Sequence, residues 1–234
     1  MSAIPNASEA AGLVAPARPP RDLPKTASEA LRRFFSFASP RILVLLSAGT
    51  LAARLALGDW RWIDGLIPAA LLAYWPLNEW LIHTQILHHR PRRIGPLRWD
   101  YRVARKHREH HRDPWHLPLV FIPLHIFWLA PPIIFALAFW LAPDAPRALT
   151  FLAAYFVLAL HYEWCHYLAH IGWCPPLTYY RRRVREHRLH HFRNEKLWWG
   201  VSLGAADRWF GTAPDPDSVP RSPTTGTLGI SERV

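Results

Sequence analysis

The sequence predicts an all-α integral membrane fold, and three observations carry that prediction. Half of the 234 residues are apolar, and they collect in long runs that match the thickness of a bilayer core. Thirteen Trp and seven Tyr accompany the runs, as amphipathic rings do where hydrocarbon meets head groups. Lys and Arg outnumber acidic residues by 28 to 17 and lie beside the apolar runs, giving a formal charge of +11. That charge could suit nucleic acid, but no zinc finger, RNA-binding signature or comparable motif accompanies it. Contact with an anionic inner leaflet is the better reading, and no nucleic-acid partner is expected.

Residues 1–40 are expected to form a disordered or amphipathic tail. Their first part is rich in Ala, Pro and Ser and lacks an apolar core, which excludes a signal peptide. Residues 41–212 form the expected membrane-embedded domain, with four spans at about 42–57, 67–87, 117–141 and 147–170. The spans pair as two hairpins that turn at residues 58–62 and 143–146, both rich in turn formers. Arg54 in the first span must reach the outer interface or pair inside the bundle. The second and fourth spans run past the hydrocarbon boundary, so their ends should protrude as helices. Residues 213–234, with Pro, Ser, Thr and Gly in place of apolar residues, read as a flexible tail.

Orientation follows from the basic residues. Arg90, Arg92, Arg93, Arg98, Arg102, Arg105, Lys106, Arg108 and Arg112 fall between spans two and three, and another Arg group follows span four. The hairpin turns carry almost none. The positive-inside rule therefore places both termini and the long loop in the cytoplasm. Cys165 and Cys174 then lie on the reducing side, where a disulfide is not expected.

Twelve of the fourteen histidines fall into two groups with one internal order. The first runs His83-x4-His88-His89 and then His107-x2-His110-His111; the second runs His161, His166-x3-His170 and then His187-x2-His190-His191. Side chains three and four apart share a helix face, so each His-x-x-His-His run forms a patch of three imidazoles aimed at one region. His83 and His88 are five apart, about 140° around an ideal helix. They need either a loosened turn or two different metals, and the second option is preferred because it requires no distortion. Solvated interfacial histidines would not recur in matching places, although that bland reading suits His116 and His125.

Imidazole suits Zn, Cu, Fe and Ni alike, so the ligand type does not select the metal. No His-Glu-x-x-His of a zinc metalloprotease is present. About ten nitrogens suffice for two five-coordinate ions, and a dinuclear site at a membrane surface points to oxygen chemistry on an apolar substrate. Glu79, Glu163, His89 and His161 adjoin the clusters outside the repeated spacing and are candidates to orient an imidazole by hydrogen bonding.

The order His-x4-His, His-x2-His-His, His-x3-His, His-x2-His-His, with intervals of 18, 54 and 16 residues, resembles the fatty acid hydroxylase superfamily. The resemblance covers about residues 70–212. Glu79-Trp80-Leu81-Ile82-His83, the stretch from Tyr162 to His170, Trp199-Gly200-Val201-Ser202 and the stretch from Asp207 to Thr212 look most like its 2-hydroxylase branch. It implies a four-helix membrane bundle with a cytosolic helical cap that holds a histidine-rich dimetal site. It also implies two Fe ions, for which Zn can substitute on purification, with O2 as co-substrate. The ligands implied are His83, His88, His107, His110, His111, His166, His170, His187, His190 and His191. No catalytic residue beyond them is implied. The implied reaction hydroxylates a fatty acyl chain near C2.

No fused cytochrome b5 domain is expected before the first span, so electrons should come from a separate cytochrome b5-like or ferredoxin-type protein. Arg181, Arg182 and Arg183 are candidates for an anionic lipid head group, and attraction to anionic phospholipids explains them equally well. A sterol or carotenoid oxidase or desaturase would use the same metal chemistry. A histidine-rich metal transporter is the rival from another class, but transporters place their sites near the bilayer midplane on broken helices.

Overall fold

The computed structural model describes residues 20–230, so residues 1–19 and 231–234 of the two expected tails lie outside the described residues. The described part of the N-terminal tail is packed. Helix α1 (Ala27–Phe34) opens on Thr26, whose hydroxyl accepts from Glu29 N at 3.3 Å. The Glu29 carboxylate reaches back to Lys25 N at 2.8 Å. This Thr-x-x-Glu spacing is the signature of a helix start, obscured by the Ala- and Pro-rich composition around it. The helix is amphipathic, and it buries Ala30 and Phe34, with Leu23, against Tyr167, Leu168 and Ile171.

The chain continues through α2 (Ala38–Leu57) and α3 (Ile63–Leu81), which passes into a π turn at Ile82–Leu87. A two-stranded antiparallel hairpin follows, β1 (Arg92–Ile94) with β2 (Leu97–Trp99), pairing Arg92 with Trp99. Then come α4 (Arg102–Arg112), two 3-10 turns, α5 (Ala130–Leu141), α6 (Ala145–Ala169), α7 (Thr178–Phe192) and the short α8 (Ala205–Trp209). Helix α6 is the centre of the bundle and packs on α2, α3 and α5 through Leu43, Leu71, Trp75, Leu152 and Phe156. Leu45, Leu55, Leu137 and Trp140 point outward and stay exposed, as a lipid-facing surface requires.

Two helices, α2 and α6, are long and apolar enough to cross a membrane. A third crosses if the turns at Leu117–Trp128 and helix α5, which meet at 55°, count as one bent span. The expected single helix over residues 117–141 is therefore corrected. Pro118, Pro123, Pro131 and Pro132 remove amide donors along that run, and it breaks into 3-10 turns before α5 begins. Helix α3 carries Asp64, Asn78 and Glu79 and falls short of the same measure.

Arg54 pairs inside the bundle. Its Nη2 lies 3.0 Å from Asp64 Oδ1, and its Nε donates to Thr150 Oγ1 at 2.7 Å. Arg147 takes the other Asp64 oxygen at 3.2 Å and Asp59 at 2.6 Å. One carboxylate between two guanidiniums thus ties both hairpin turns together, at the end of the bundle away from the histidines.

Candidate metal centre

The π turn decides how the first histidines are used. His88 N donates to His83 O at 3.0 Å, an i to i+5 bond, and the widened turn brings both side chains to one region. The expectation that these two serve different metals is corrected. The helix loosens, as π bulges commonly do at functional sites.

Ten histidines form two groups of five: His83, His88, His107, His111 and His190 in one, and His110, His166, His170, His187 and His191 in the other. Within each group, one nitrogen per residue lies within 4.8 Å of all the others. The groups touch, with the rings of His111 and His191 stacked at 4.2 Å. They do not follow the sequence clusters. Helix α4 sends His107 and His111 to the first group and His110 to the second, while α7 sends His187 and His191 to the second and His190 to the first. Helical geometry explains the rule: residues four apart differ by about 40°, whereas the middle histidine turns about 60° the other way.

The donor set fits metal ions. Nε2 pairs stand 3.2 Å apart for His83 and His107, His110 and His166, and His111 and His190, and 3.1 Å apart for His187 and His191. Nitrogens bonded at about 2.1 Å and near a right angle to one ion would stand about 3.0 Å apart. Among the described residues, His88 Nε2 and His170 Nε2 are buried with no hydrogen-bond partner, which is costly unless something else satisfies them.

Backbone carbonyls orient the first group from behind. Trp199 O lies 2.7 Å from His83 Nδ1, Leu197 O 2.8 Å from His190 Nδ1, and Thr225 O 3.0 Å from His111 Nδ1. Each carbonyl can only accept, so the proton sits on Nδ1 and the Nε2 lone pair faces inward. The Trp199 indole packs on His83, His88 and His190. Glu79, one turn before His83, accepts from Val201 N, Ser202 N and Leu203 N at 3.0–3.2 Å, from Ser202 Oγ, and from Trp75 Nε1 at 2.7 Å. Asp207 accepts from Trp199 N at 2.9 Å and Gly200 N at 2.7 Å. Neither Trp199 nor Asp207 belongs to the repeated histidine spacing, and their roles arise only where the loop folds back onto the site.

Gly200 is where this loop has no spare room. A Cβ there would stand 2.8 Å from Leu203 O and 2.9 Å from both Asp207 Oδ2 and Gly204 Cα. Gly200→Ala is expected to destabilise the protein by about 1–3 kcal/mol through overpacking and to lower metal content by displacing the Trp199 carbonyl. Gly49→Ala, inside α2 with nothing within 4 Å, is the control and should keep wild-type metal content with no loss of stability, since Ala favours a helix interior over Gly by about 0.5–1 kcal/mol. Thermal unfolding with metal analysis on both variants checks this, and wild-type behaviour of Gly200→Ala would refute it.

The expected C-terminal tail also reaches the site. Ser222 N donates to Arg193 O at 2.7 Å, Arg193 Nε donates to Val219 O at 2.8 Å, and Thr224 Oγ1 donates to Glu195 at 2.6 Å. Val219 and Leu228 are buried, so the described part of residues 213–234 is a packed strap rather than a free tail. Its few apolar side chains gave a weak sequence signal. Its hydrogen bonds are made by backbone groups and small hydroxyls.

Other candidates fall elsewhere. Glu163 accepts from Ile122 N at 2.8 Å and from Ser39 Oγ, so it ties α6 to α2 and the broken span rather than orienting an imidazole. His161 Nε2 meets Tyr179 Oη at 2.6 Å, and His89 packs on Tyr101, both outside the two groups. Arg182 and Arg183 pair with Glu186, and Arg183 is buried over Gly204.

Burial and neighbouring imidazoles hold His107, His110, His187, His190 and His191 well below the usual histidine value, and His111 at about 3. At neutral pH the site therefore presents neutral imidazoles, the form that binds metal. In the unfolded chain these groups titrate near pH 6.5. As pH falls below that value the unfolded state takes up protons that the folded state does not, so stability falls. Proton competition for the ligands acts in the same direction. Metal content and melting temperature should stay level between about pH 7 and 8 and decline from about 6.5 toward 4. A profile that stays flat down to pH 4 contradicts the buried neutral cluster.

A cavity of about 340 Å³ opens beside the centre, within the size range of ligand sites. Its walls are mostly apolar, among them Leu43, Ile86, Phe121, Ile126 and Phe156. His107 from one group and His166 from the other also line it, with Lys106 nearby.

The family model for fatty acid hydroxylase matches residues 68–212. Among solved structures the chain is similar to full-length scs7p, in which only the hydroxylase domain is visible. The TM-score is 0.63 at 21% identity, covering 79% of this chain and 68% of that one, a likeness that shows the fold. No curated protein matches the sequence.

Proposed function

Because the chain belongs to the fatty acid hydroxylase family, we propose that it is an O2-dependent diiron hydroxylase acting on a lipid acyl chain near C2. The observation that carries this reading is the apolar cavity walled by His107 and His166, one histidine from each group of five. A chain lying there meets both groups at once. Iron ions held by the ten histidines would supply O2 activation and the power to oxidise an unactivated C–H bond.

The protein's own work is positioning and exclusion. Leu43, Phe121 and Phe156 hold the chain and keep water from the reacting carbon. Carbonyls of Leu197, Trp199 and Thr225 keep Nδ1 protonated on three imidazoles, so their orientation is set before substrate arrives. Each turnover consumes O2, two electrons and two protons, and yields a hydroxylated chain and water. The electrons come from a separate cytochrome b5-like or ferredoxin-type protein. With both termini and the centre on the cytoplasmic side, a lipid anchored at that interface presents its first carbons before its distal ones.

Membranes containing the protein, given O2, reductant and a fatty acid deuterated only at C2, should form hydroxylated product that has lost one deuterium. Full retention with oxygen placed mid-chain, or conversion only of a sterol or carotenoid, would overturn the substrate assignment. Absence of any O2-dependent lipid product would overturn the hydroxylase reading.

A further inference from the structure

Helix α7 has two charged faces. His187, His190 and His191 look toward the metal centre, while Arg181, Arg185 and Arg188, at i, i+4 and i+7, form the other side. That other side lines an open cleft of about 510 Å³, completed by Arg193 and Arg221. No carboxylate lines it, and among the described residues none of these five arginines pairs with one. Their neighbours Arg182 and Arg183 contrast, since both engage Glu186.

Two of the five are fixed in place. Arg188 donates from Nε to Ala169 O at 2.8 Å and from Nη2 to Ile171 O at 2.7 Å. Arg193 is held by Val219 O at 2.8 Å, and the Arg193 carbonyl takes Ser222 N, which sets Arg221 beside it. Guanidiniums gathered without a counter-charge repel one another, and burial of Arg188 adds desolvation. An anion that accepts from several planar forks removes both costs, and phosphate suits this arrangement best. The apolar floor, Val184, Leu189 and Phe192, leaves room for the carbon attached to such a phosphate.

We propose that this cleft binds a phosphate group, carried by an anionic phospholipid head group or by a soluble phosphate ester. The bound group clamps α7 to the C-terminal strap. It lies across α7 from the histidines, so it is distinct from the acyl-chain cavity, and Arg181 serves here rather than at the substrate's head. The proposal does not depend on the hydroxylase reading.

The test uses the full chain and Arg185→Gln/Arg221→Gln, two exposed positions outside the metal centre. In detergent, inorganic phosphate should raise the melting temperature above that in chloride of equal ionic strength. The double variant should need about tenfold more phosphate, with unchanged metal content showing that it is folded. In nanodiscs of phosphatidylcholine with phosphatidic acid, native mass spectrometry should show phosphatidic acid retained by wild type and lost from the variant if the source is lipid. Phosphate binding without that retention assigns the site to a soluble ester. Equal effects of phosphate and chloride, or equal binding by wild type and variant, overturn the proposal. None of these outcomes bears on lipid hydroxylation, because metal content and product formation are measured separately.

Discussion

Replacing His110 and His170 together with Ala should cost the protein one metal ion, whereas replacing His110 and His190 together should cost it both. In the sequence His110 sits with His107 and His111, yet in space its nitrogen belongs with those of His166, His170, His187 and His191. Its ring lies 4.6 Å from that of His170. Two substitutions in one group damage one site and leave the other five nitrogens intact. Substitutions split between the groups damage both. Metal analysis should give about two ions for wild type, near one for His110→Ala/His170→Ala, and near none for His110→Ala/His190→Ala. Hydroxylation should fall by about 10²-fold or more in either, since even partners of metal ligands cost 10–100-fold when removed. Equal stoichiometry in the two double variants would sink the crossed arrangement.

Deleting residues 216–234 should selectively weaken the first group. The deletion removes the Thr225 carbonyl from His111 Nδ1, the Thr224 contact to Glu195 and the buried side chains of Val219 and Leu228. Burial of two such side chains is worth about 3–6 kcal/mol as an upper estimate. Loss of an orienting carbonyl should weaken metal binding at that group about 10–100-fold. Among the described residues, no imidazole of the second group hydrogen-bonds or stacks with the strap, and that group should keep its ion. Thr224→Val, a milder change, should move both quantities in the same direction by less. Full occupancy and an unchanged melting temperature after deletion would show that the strap is dispensable, and the family match ending at residue 212 would then mark the working boundary.

Local spacing carried a definite part of this protein. The histidine order, the apolar runs that became α2 and α6, and the turn residues at 58–62 and 143–146 depend on neighbours in sequence, through backbone bonds a few residues apart. Even the start of α1 is written locally, in Thr26 and Glu29, although the Ala- and Pro-rich composition around it masks the signal. The division of ten imidazoles between two groups was not local. Helix phase separates the middle histidine of each triplet from its partners, and the packing of α4, α6 and α7 decides which nitrogens it meets.

The π turn at His83 and the break in residues 117–141 were settled by tertiary structure too. In the first case an i to i+5 bond suits the gathering of imidazoles; in the second, an amide that the break leaves without a helical partner is satisfied from a neighbouring helix, with Glu163 accepting from Ile122 N. The strap is the clearest division between the two kinds of information. Residues 213–234 have too few apolar side chains to announce a packed element, and their attachment to His111, Arg193 and Glu195 is made by backbone carbonyls, amides and one hydroxyl. Every residue carries such backbone groups, so the sequence alone determined which side chains could bind metal, and only the folded chain decided which carbonyls would hold them.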